Sequence, residues 1–478
     1  MTEQRHQVEI AVIGAGPGGY PAAIKAAQLG KKVALIEAGE LGGTCLNRGC
    51  IPSKALIANA QLLHQLSHAE ELGIHIDGYT VDFGKMVDRK DSVVGRVRKG
   101  LESLIRSNDI ELIRGHATLL GPREIAIQGP DERLLRADKI ILATGSEPRE
   151  LPSLFCDQKR VLDSTAMLNI RQLPKTLVII GGGVIGCEFA SLYRPFGTRV
   201  IVVEMLPRLL PMECSSVSQA LDRSFRDKGI EIFTNSFVER IDRFDEGIDV
   251  HISGQPPLRA DLALVAVGRS LNTLRIGLDK AGVLVDDKSG LIQVNHHMQT
   301  NVENIYAIGD IASRWWLAHV ASHQGLVAAR HACGDTKARM HYNAVPSVIF
   351  TTPEIATVGL SLEQAIEQGY QATLGSFPFQ ALGKSQATLQ VEGFAQVVTD
   401  RSTGQILGAQ VVGHDAATLV AEMAIVIANE LTIDCVTETI HAHPTVAEAW
   451  MEAVLVANET PLHLPPKRSA SRSRPKNG

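Results

Sequence analysis

Two cysteines, Cys45 and Cys50, lie five positions apart in a stretch running from Gly42 to Lys54 (GGTCLNRGCIPSK), with glycines on both sides and a lysine just downstream. A disulfide needs Cα atoms within about 7 Å of each other. Five residues of ideal helix rise about 7.5 Å along the axis, so the segment has to bend between the cysteines, and Gly49 is the residue that permits it. The expectation is a redox-active disulfide, which requires one group to supply electrons and another to remove them. A second stretch able to do chemistry runs from His441 to Glu448 (HAHPTVAE), just before the last apolar run. Thr445 and Glu448 fit a T-x-x-E capping box, which gives Glu448 a structural role. The spacing equally allows Glu448 to orient a neighbouring imidazole, His441 or His443, as general acid and base.

The elements that must position these groups come in two similar sets. Val8–Ile13 is an apolar, β-branched run ending in Gly14, Gly16 and Gly19 at G-x-G-x-x-G spacing; an Ala-rich helical stretch and a second strand, Lys32–Glu37, follow. Thr176–Ile180 leads into Gly181, Gly183 and Gly186, then a helix over Val184–Tyr193 and a strand over Arg199–Glu204. Glu37 and Glu204 each stand 18 residues after the third glycine, where an acid meets a ribose hydroxyl. In such turns the first glycine makes the tight turn, the second lets backbone approach a pyrophosphate, and the third lets helix and sheet pack closely. The phosphates then lie on the N–H groups of the helix start. Two intact copies predict two dinucleotides. A carboxylate at Glu204 bonds a free 2′-hydroxyl and repels a 2′-phosphate, so the second is expected to be NAD rather than NADP, despite Arg208 nearby.

Between and after the copies, helices are expected over Gln61–Gly73 and Lys85–Arg106. Buried strands are expected over Lys139–Ala143, ending at Thr144 and Gly145, over Leu262–Val267, ending at Gly268, and over Asn304–Ile308, ending at Gly309 and Asp310. Asp310 is as readily a turn former as a ligand on local grounds. From about Tyr342, strands alternate with helices without a glycine-rich phosphate turn, which predicts an α+β domain with another job.

Composition sets outer bounds. A chain of 478 residues has room for about three domains, and a net charge of −5 with both signs interspersed offers no broad basic face for nucleic acid. No apolar run is long enough to span a membrane. Seven cysteines, an odd number, do not suggest a secreted disulfide framework, and the five outside the pair are expected to be small buried residues. The start of the chain carries no signal or transit pattern, so a soluble, cytoplasmic protein is expected. The basic, proline- and serine-rich end, 465–478, is expected to be a disordered tail.

Taken together, the paired glycine motifs, the GGTCLNRGCIPSK stretch, Ala307–Asp310 (AIGD) and His443–Glu448 (HPTVAE) resemble the flavoprotein disulfide reductase family, the class I pyridine nucleotide-disulfide oxidoreductases, and within it the dihydrolipoamide dehydrogenases. The resemblance spans roughly Val8 to Leu464. The CIPSK ending favours this branch over glutathione reductases. The implied fold is α/β, with two Rossmann-like dinucleotide-binding domains and a C-terminal α+β dimerisation domain. The implied division is 1–150 for FAD, 151–275 for NAD, 276–341 completing the FAD domain, and 342–464 at the interface. The resemblance implies FAD contacts at Gly14, Gly16, Gly19, Glu37, Thr44, Lys54, Ala117, Thr144, Gly145, Asp310 and Ala318. It implies NAD contacts at Gly181, Gly183, Gly186, Glu204, Val238 and Gly268. Lys54 and Glu188 match the family's buried ion pair, and His443-Pro444 its cis peptide, which aims the imidazole across the subunit boundary of a homodimer. The implied partner is a lipoyl-bearing protein or acyltransferase core.

The chemistry that follows from the resemblance has His443, held by Glu448, take a proton from dihydrolipoamide. The thiolate attacks Cys45, Cys50 faces the flavin, and electrons pass through FAD to NAD⁺. Three departures stand out: Ser270-Leu271-Asn272, Trp315-Trp316, and Gln324 where Glu is common. A mercuric reductase would want a C-terminal cysteine pair, and none follows Cys435. A glutathione reductase would want a 2′-phosphate site in place of Glu204. A flavin-binding scaffold without turnover would have no use for intact Cys45, Cys50, Lys54 and His443.

Overall fold

Strand β1 (His6–Ile13) is buried from Ile10 to Ile13 and pairs in parallel with β2 (Val33–Glu37) on one side and β6 (Arg133–Leu142) on the other. A parallel strand covered on both faces has to be apolar throughout, which is why Val8–Ile13 stands out so clearly. Helix α1 (Gly19–Gln28) connects β1 to β2 and buries Ala22, Ala23 and Ala26. The computed structural model describes residues 6–465. The chain forms two units, one from residues up to Leu62, Gly78–Gly181 and Val238–His341, the other from Leu63–Asp77, Gly182–Phe237 and Tyr342 onward. The expected tail lies outside the described residues apart from Pro465.

In the first unit the sheet order is β3-β2-β1-β6-β5-β4, with Ile305–Ala307 added in parallel to β6. Strands β3 (Glu111–Arg114), β4 (His116–Leu119) and β5 (Glu124–Gln128) were not anticipated. The last two run antiparallel, and β5 alternates buried with half-buried positions, a much weaker signal than a continuous apolar run. Helix α2 (Gly43–Arg48) is followed at once by α3 (Cys50–Ser67). The helix expected over Gln61–Gly73 is the end of α3, which stops at Ser67, followed by a 3-10 turn over Glu70–Leu72; α3 starts much earlier, with Pro52 in its first turn, where no N–H is needed. Helix α4 (Phe83–Ser107) covers the expected Lys85–Arg106 span, capped by the Asp82 side chain accepting from the Lys85 N–H. Thr176–Ile180 pairs in parallel with Leu262–Val265, and strand β7 (Ser146–Pro148) pairs antiparallel with Arg269–Leu271.

In the second unit, Arg199–Val203 and Glu231–Phe233 pair in parallel beside helices Val184–Tyr193 and Ser215–Asp227. The C-terminal part is a five-stranded antiparallel sheet whose strand Ile406–Gly413 is buried at every position. Helix Glu448–Ala457 lies on this sheet. It buries Trp450 fully, and the indole N–H donates to the Leu419 carbonyl at 3.2 Å. The approach of helix to sheet is set at Gly375, where a Cβ would come within 2.0 Å of the Ala453 carbonyl and 2.4 Å of the Ala457 nitrogen. Forcing a methyl into such a contact costs roughly 1–3 kcal/mol. Gly375→Ala should therefore lower the unfolding free energy by that amount, seen as a lower urea midpoint at unchanged m-value for the holoenzyme. An unchanged midpoint would mean that the helix is not seated there.

Candidate active site

The bend required between the cysteines is present. Helix α2 ends at Arg48, Gly49 has φ −142° and ψ −109°, and Cys50 opens α3. A Cβ at Gly49 would lie 3.1 Å from the Thr44 carbonyl oxygen and 3.4 Å from Cys45 Cα, so the absence of a side chain is what lets the two ends close. The two side chains are hydrogen-bonded to each other. That hydrogen bond, burial and the neighbouring Cys50 charge push the Cys45 thiol well above its ordinary pKa, while the Cys50 backbone and the Lys54 charge act in the opposite direction. Removing one proton from this pair makes the second harder to remove, as expected of coupled thiols. Of the remaining five cysteines only Cys187 is buried as expected; Cys156, Cys214 and Cys333 are half-buried, and Cys435 is exposed because it lies in the short surface helix Ile433–Thr437.

The cysteine segment is tied to the first glycine turn. The Gly42 N–H donates to the Ala15 carbonyl at 2.9 Å, and a Cβ at Gly43 would meet Gly16 Cα at 2.7 Å. Gly14 has φ +101° and no room for a Cβ, which would fall 2.3 Å from the Ala143 carbonyl; Gly181 repeats this at φ +109° and 2.4 Å from the Ala266 carbonyl. The second glycines differ. Beside Gly16 a Cβ would meet only Gly43 Cα at 3.9 Å, and beside Gly183 nothing within 4 Å. Both helices that follow lack a side-chain cap and an acid in the first turn, leaving their N–H groups for an anion. Glu37 and Glu204 are anchored alike. Glu37 accepts the Ala15 and Gly39 N–H groups at 2.6 and 2.7 Å, and Glu204 accepts those of Gly182 and Leu206 at 2.6 and 2.7 Å. Each carboxylate is thus held rigid with lone pairs left for a ribose. These turns fit dinucleotides. Arg208 donates through Nη2 to the Pro211 and Glu213 carbonyls, which ties that end of its guanidinium to its own loop.

The other first-unit candidates gather at strand ends. Thr144 Oγ1 donates to the Asn272 carbonyl at 2.7 Å, the Asn272 amide donates back to the Thr144 carbonyl at 2.9 Å, and the Asn272 N–H meets Gly145. The departure at 270–272 thus keeps the residue that locks this turn. Gln324 is fully buried and its amide oxygen accepts the Gly309 N–H at 2.7 Å, a job that needs an acceptor but no charge. Ser146, between Arg269 and Asp310, hydrogen-bonds both. Arg269, Ser146, Arg48 and Glu147 are the residues that sequence reasoning missed. Ala318 opens helix Ala318–Ala332, and Ala117 lies half-buried on β4. Trp316 is 45% exposed and Arg314 stacks on Trp315 at 5.3 Å. Lys54, Gly181, Val238 and Gly268 belong to the first unit, and Gly183, Gly186, Glu188 and Glu204 to the second. Glu188 is buried and accepts the Phe350 N–H at 3.0 Å.

In the second unit the geometry separates the two histidines. His441 faces the Thr439 carbonyl with Nδ1 at 2.9 Å and Glu422 with Nε2 at 3.0 Å, so both nitrogens meet acceptors and neither is available as a base. His443 uses only Nδ1, 2.8 Å from Glu448 Oε1, and its side chain is 77% exposed. With Nδ1–H donating to the carboxylate, Nε2 is left as the basic atom. The expected capping box is half made. Glu448 accepts the Thr445 N–H at 2.9 Å, but the Thr445 hydroxyl turns back to the Ala442 carbonyl at 2.7 Å, because the helix starts at Glu448 itself. Partial burial pushes the Glu448 carboxyl up, yet the hydrogen bonds from His443 and the Thr445 N–H outweigh it and hold its pKa below the ordinary glutamate value.

A sequence profile of pyridine nucleotide-disulphide oxidoreductases matches residues 8–325, and one of the dimerisation domain of these proteins matches 345–454. Dihydrolipoyl dehydrogenase of Chlamydia pneumoniae is 50% identical over 461 residues, 96% of this chain and 99% of that protein. Dihydrolipoyl dehydrogenase of Geobacillus stearothermophilus is 40% identical over 462 residues, 96% of this chain and 98% of that protein. The crystal structure of LpdA from Mycobacterium tuberculosis superposes with a TM-score of 0.88 at 28% identity, covering 94% of this chain and 99% of that one. The flavoprotein disulfide reductase RclA from Escherichia coli superposes at 0.83, with 28% identity over 92% of this chain and 98% of that one.

A depressed carboxyl pKa stabilises the fold above the unfolded value near 4.5, and that contribution is lost as pH falls through the lower folded value. Glu448→Gln should therefore unfold more easily than wild type at pH 6, with the gap closing toward pH 3. Its activity should fall roughly 100-fold, the scale of a misoriented general base. A gap in melting midpoint that is constant from pH 6 to pH 3 would contradict an ionised Glu448 held by these hydrogen bonds.

Proposed function

The chain belongs to the pyridine nucleotide-disulphide oxidoreductase family, and on that premise we propose that it is a dihydrolipoyl dehydrogenase in which Cys45 and Cys50 carry the electrons. It oxidises dihydrolipoamide to lipoamide with FAD and NAD⁺. The observation that carries the assignment of the site is the thiol pair closed across the break at Gly49. FAD would be held by Gly14, Gly16, Gly19, Glu37, Thr44, Lys54, Ala117, Thr144, Gly145, Asp310 and Ala318, and would supply a two-electron acceptor for the dithiol and a hydride donor for NAD⁺. NAD would be held by Gly181, Gly183, Gly186, Glu188, Glu204, Val238 and Gly268.

His443 Nε2 takes a proton from one thiol of dihydrolipoamide, and Glu448 keeps the imidazole aimed and balances its charge. The thiolate attacks Cys45 in the oxidised pair, and Cys50 leaves as a thiolate. The second substrate thiol, losing its proton, closes lipoamide and releases Cys45, so two electrons and two protons leave the substrate. The exposed His443 fits a base that serves a partner subunit, and the dimerisation-domain match supports a homodimer. The dihydrolipoamide is carried by a lipoyl-bearing protein of a multienzyme complex in the cytoplasm. Among the described residues no helix is long and apolar enough to cross a membrane.

The test is a mixed dimer. Cys45→Ser and His443→Gln chains are each purified with FAD, then co-refolded and assayed anaerobically for NADH formed from dihydrolipoamide and NAD⁺. Each parent homodimer should be nearly inactive, and the mixed dimer should recover one working site. No recovery in a mixed dimer that binds FAD would exclude a shared site, and no NADH from wild type would exclude the activity.

A further inference from the structure

A cavity of about 480 Å³ in the second unit takes no part in the chemistry above. It opens where helix Glu448–Ala457 ends, at the opposite end from Glu448. Beneath it run strands Ala372–Pro378 and Gly393–Asp400, paired antiparallel with Gly375 opposite Val397 and Thr373 opposite Thr399. Side chains two apart on a strand share a face, so Thr373 and Thr399 lie on the face that Gly375 turns to Ala453 and Ala457. The helix stops at Ala457, and the two threonines line the space beyond its end. Thr399 is fully buried, and among the described residues its Oγ1 meets no hydrogen-bond partner. A hydroxyl that gives up water and gains nothing in return is costly. The floor of the cavity therefore holds an unspent hydrogen-bonding group.

The rest of the lining decides the kind of ligand. Asp434, in the first turn of helix Ile433–Thr437, and Glu459 bring carboxylates to the rim, and Asn458 brings an amide. The carbonyl end of helix Glu448–Ala457 adds its negative partial charge. Against them stands one cation, Arg401, whose Nη2 lies 3.6 Å from Glu459 Oε1. Among the described residues no three His, Cys, Asp or Glu side chains converge as a metal ion needs. The volume falls instead within the roughly 300–1,000 Å³ of small-molecule sites. We propose that this cavity binds a small organic ammonium ion, which donates an N–H to the Thr399 hydroxyl and faces Asp434, Glu459 and the helix end with its charge. The proposal stands whether or not Cys45 and Cys50 carry electrons.

The holoenzyme is titrated calorimetrically with 1,4-diaminobutane at pH 7 and low salt, and its melting midpoint is measured with and without the diamine. Wild type should bind it saturably and melt higher in its presence. Thr399→Val should weaken binding about tenfold, yet without diamine melt no lower than wild type, because it removes an unpaired buried hydroxyl. Thr399→Ser keeps the hydroxyl and should bind like wild type, which guards against a packing effect at this position. Asp434→Asn should weaken binding about twofold and Arg401→Gln should tighten it about twofold, both small because these side chains are exposed. No saturable binding to wild type would overturn the proposal. So would equal affinity in Thr399→Val, or a Thr399→Val protein that melts below wild type without diamine. Mg²⁺ binding with the same dependence on Thr399 would overturn it as well, making the cavity a metal site.

Discussion

The close approach of Cys45 and Cys50 is the constraint on which the rest of the first unit depends. A helix running unbroken from Gly43 to Ser67 would hold the two sulfurs apart, and the chain breaks it at one residue, Gly49, where a Cβ would crowd the Thr44 carbonyl. The same segment packs against the first phosphate turn, Gly43 on Gly16 and Gly42 on Ala15. A dinucleotide on that turn and a dithiol on that helix are therefore not separate features. Whatever fixes the glycine turn also fixes the cysteines.

The second unit answers a different requirement. A general base has to keep one ring nitrogen free while the other is held, and His443 meets this where His441 does not. The orienting carboxylate sits on the first residue of a helix that buries Trp450 and packs on Gly375. Losing a fully buried tryptophan costs roughly 3–5 kcal/mol, so the anchor of that helix is far stronger than the single hydrogen bond it presents to the imidazole. Rigid placement of Glu448 thus comes from hydrophobic burial some distance from the chemistry.

Much of this was legible in the sequence wherever the signal is local. The two strand–glycine–helix units were clear because a buried parallel strand must be apolar, and because the glycine positions are dictated by backbone contacts such as Gly14 on Ala143 and Gly181 on Ala266. The bend at Gly49 followed from helix rise alone. The choice between His441 and His443 did not, because it turns on Glu422, which lies on another helix. Nor did the roles of Asn272 or the pairing of Arg48 with Glu147, since contacts between residues so far apart in the chain leave no mark on local spacing. The antiparallel strands at 116–128 were missed for want of a continuous apolar run.

The central claim is that the two cysteines are unequal, with Cys45 exchanging with substrate and Cys50 facing the cofactor side. Rapid acid quench tests it most directly. Oxidised holoenzyme is mixed with dihydrolipoamide without NAD⁺ and stopped within milliseconds, free thiols are alkylated, and the Gly42–Lys54 peptide is fragmented by mass spectrometry. The account predicts a transient lipoamide adduct on Cys45 with Cys50 alkylated as a free thiol. An adduct on Cys50 with Cys45 alkylated would contradict it.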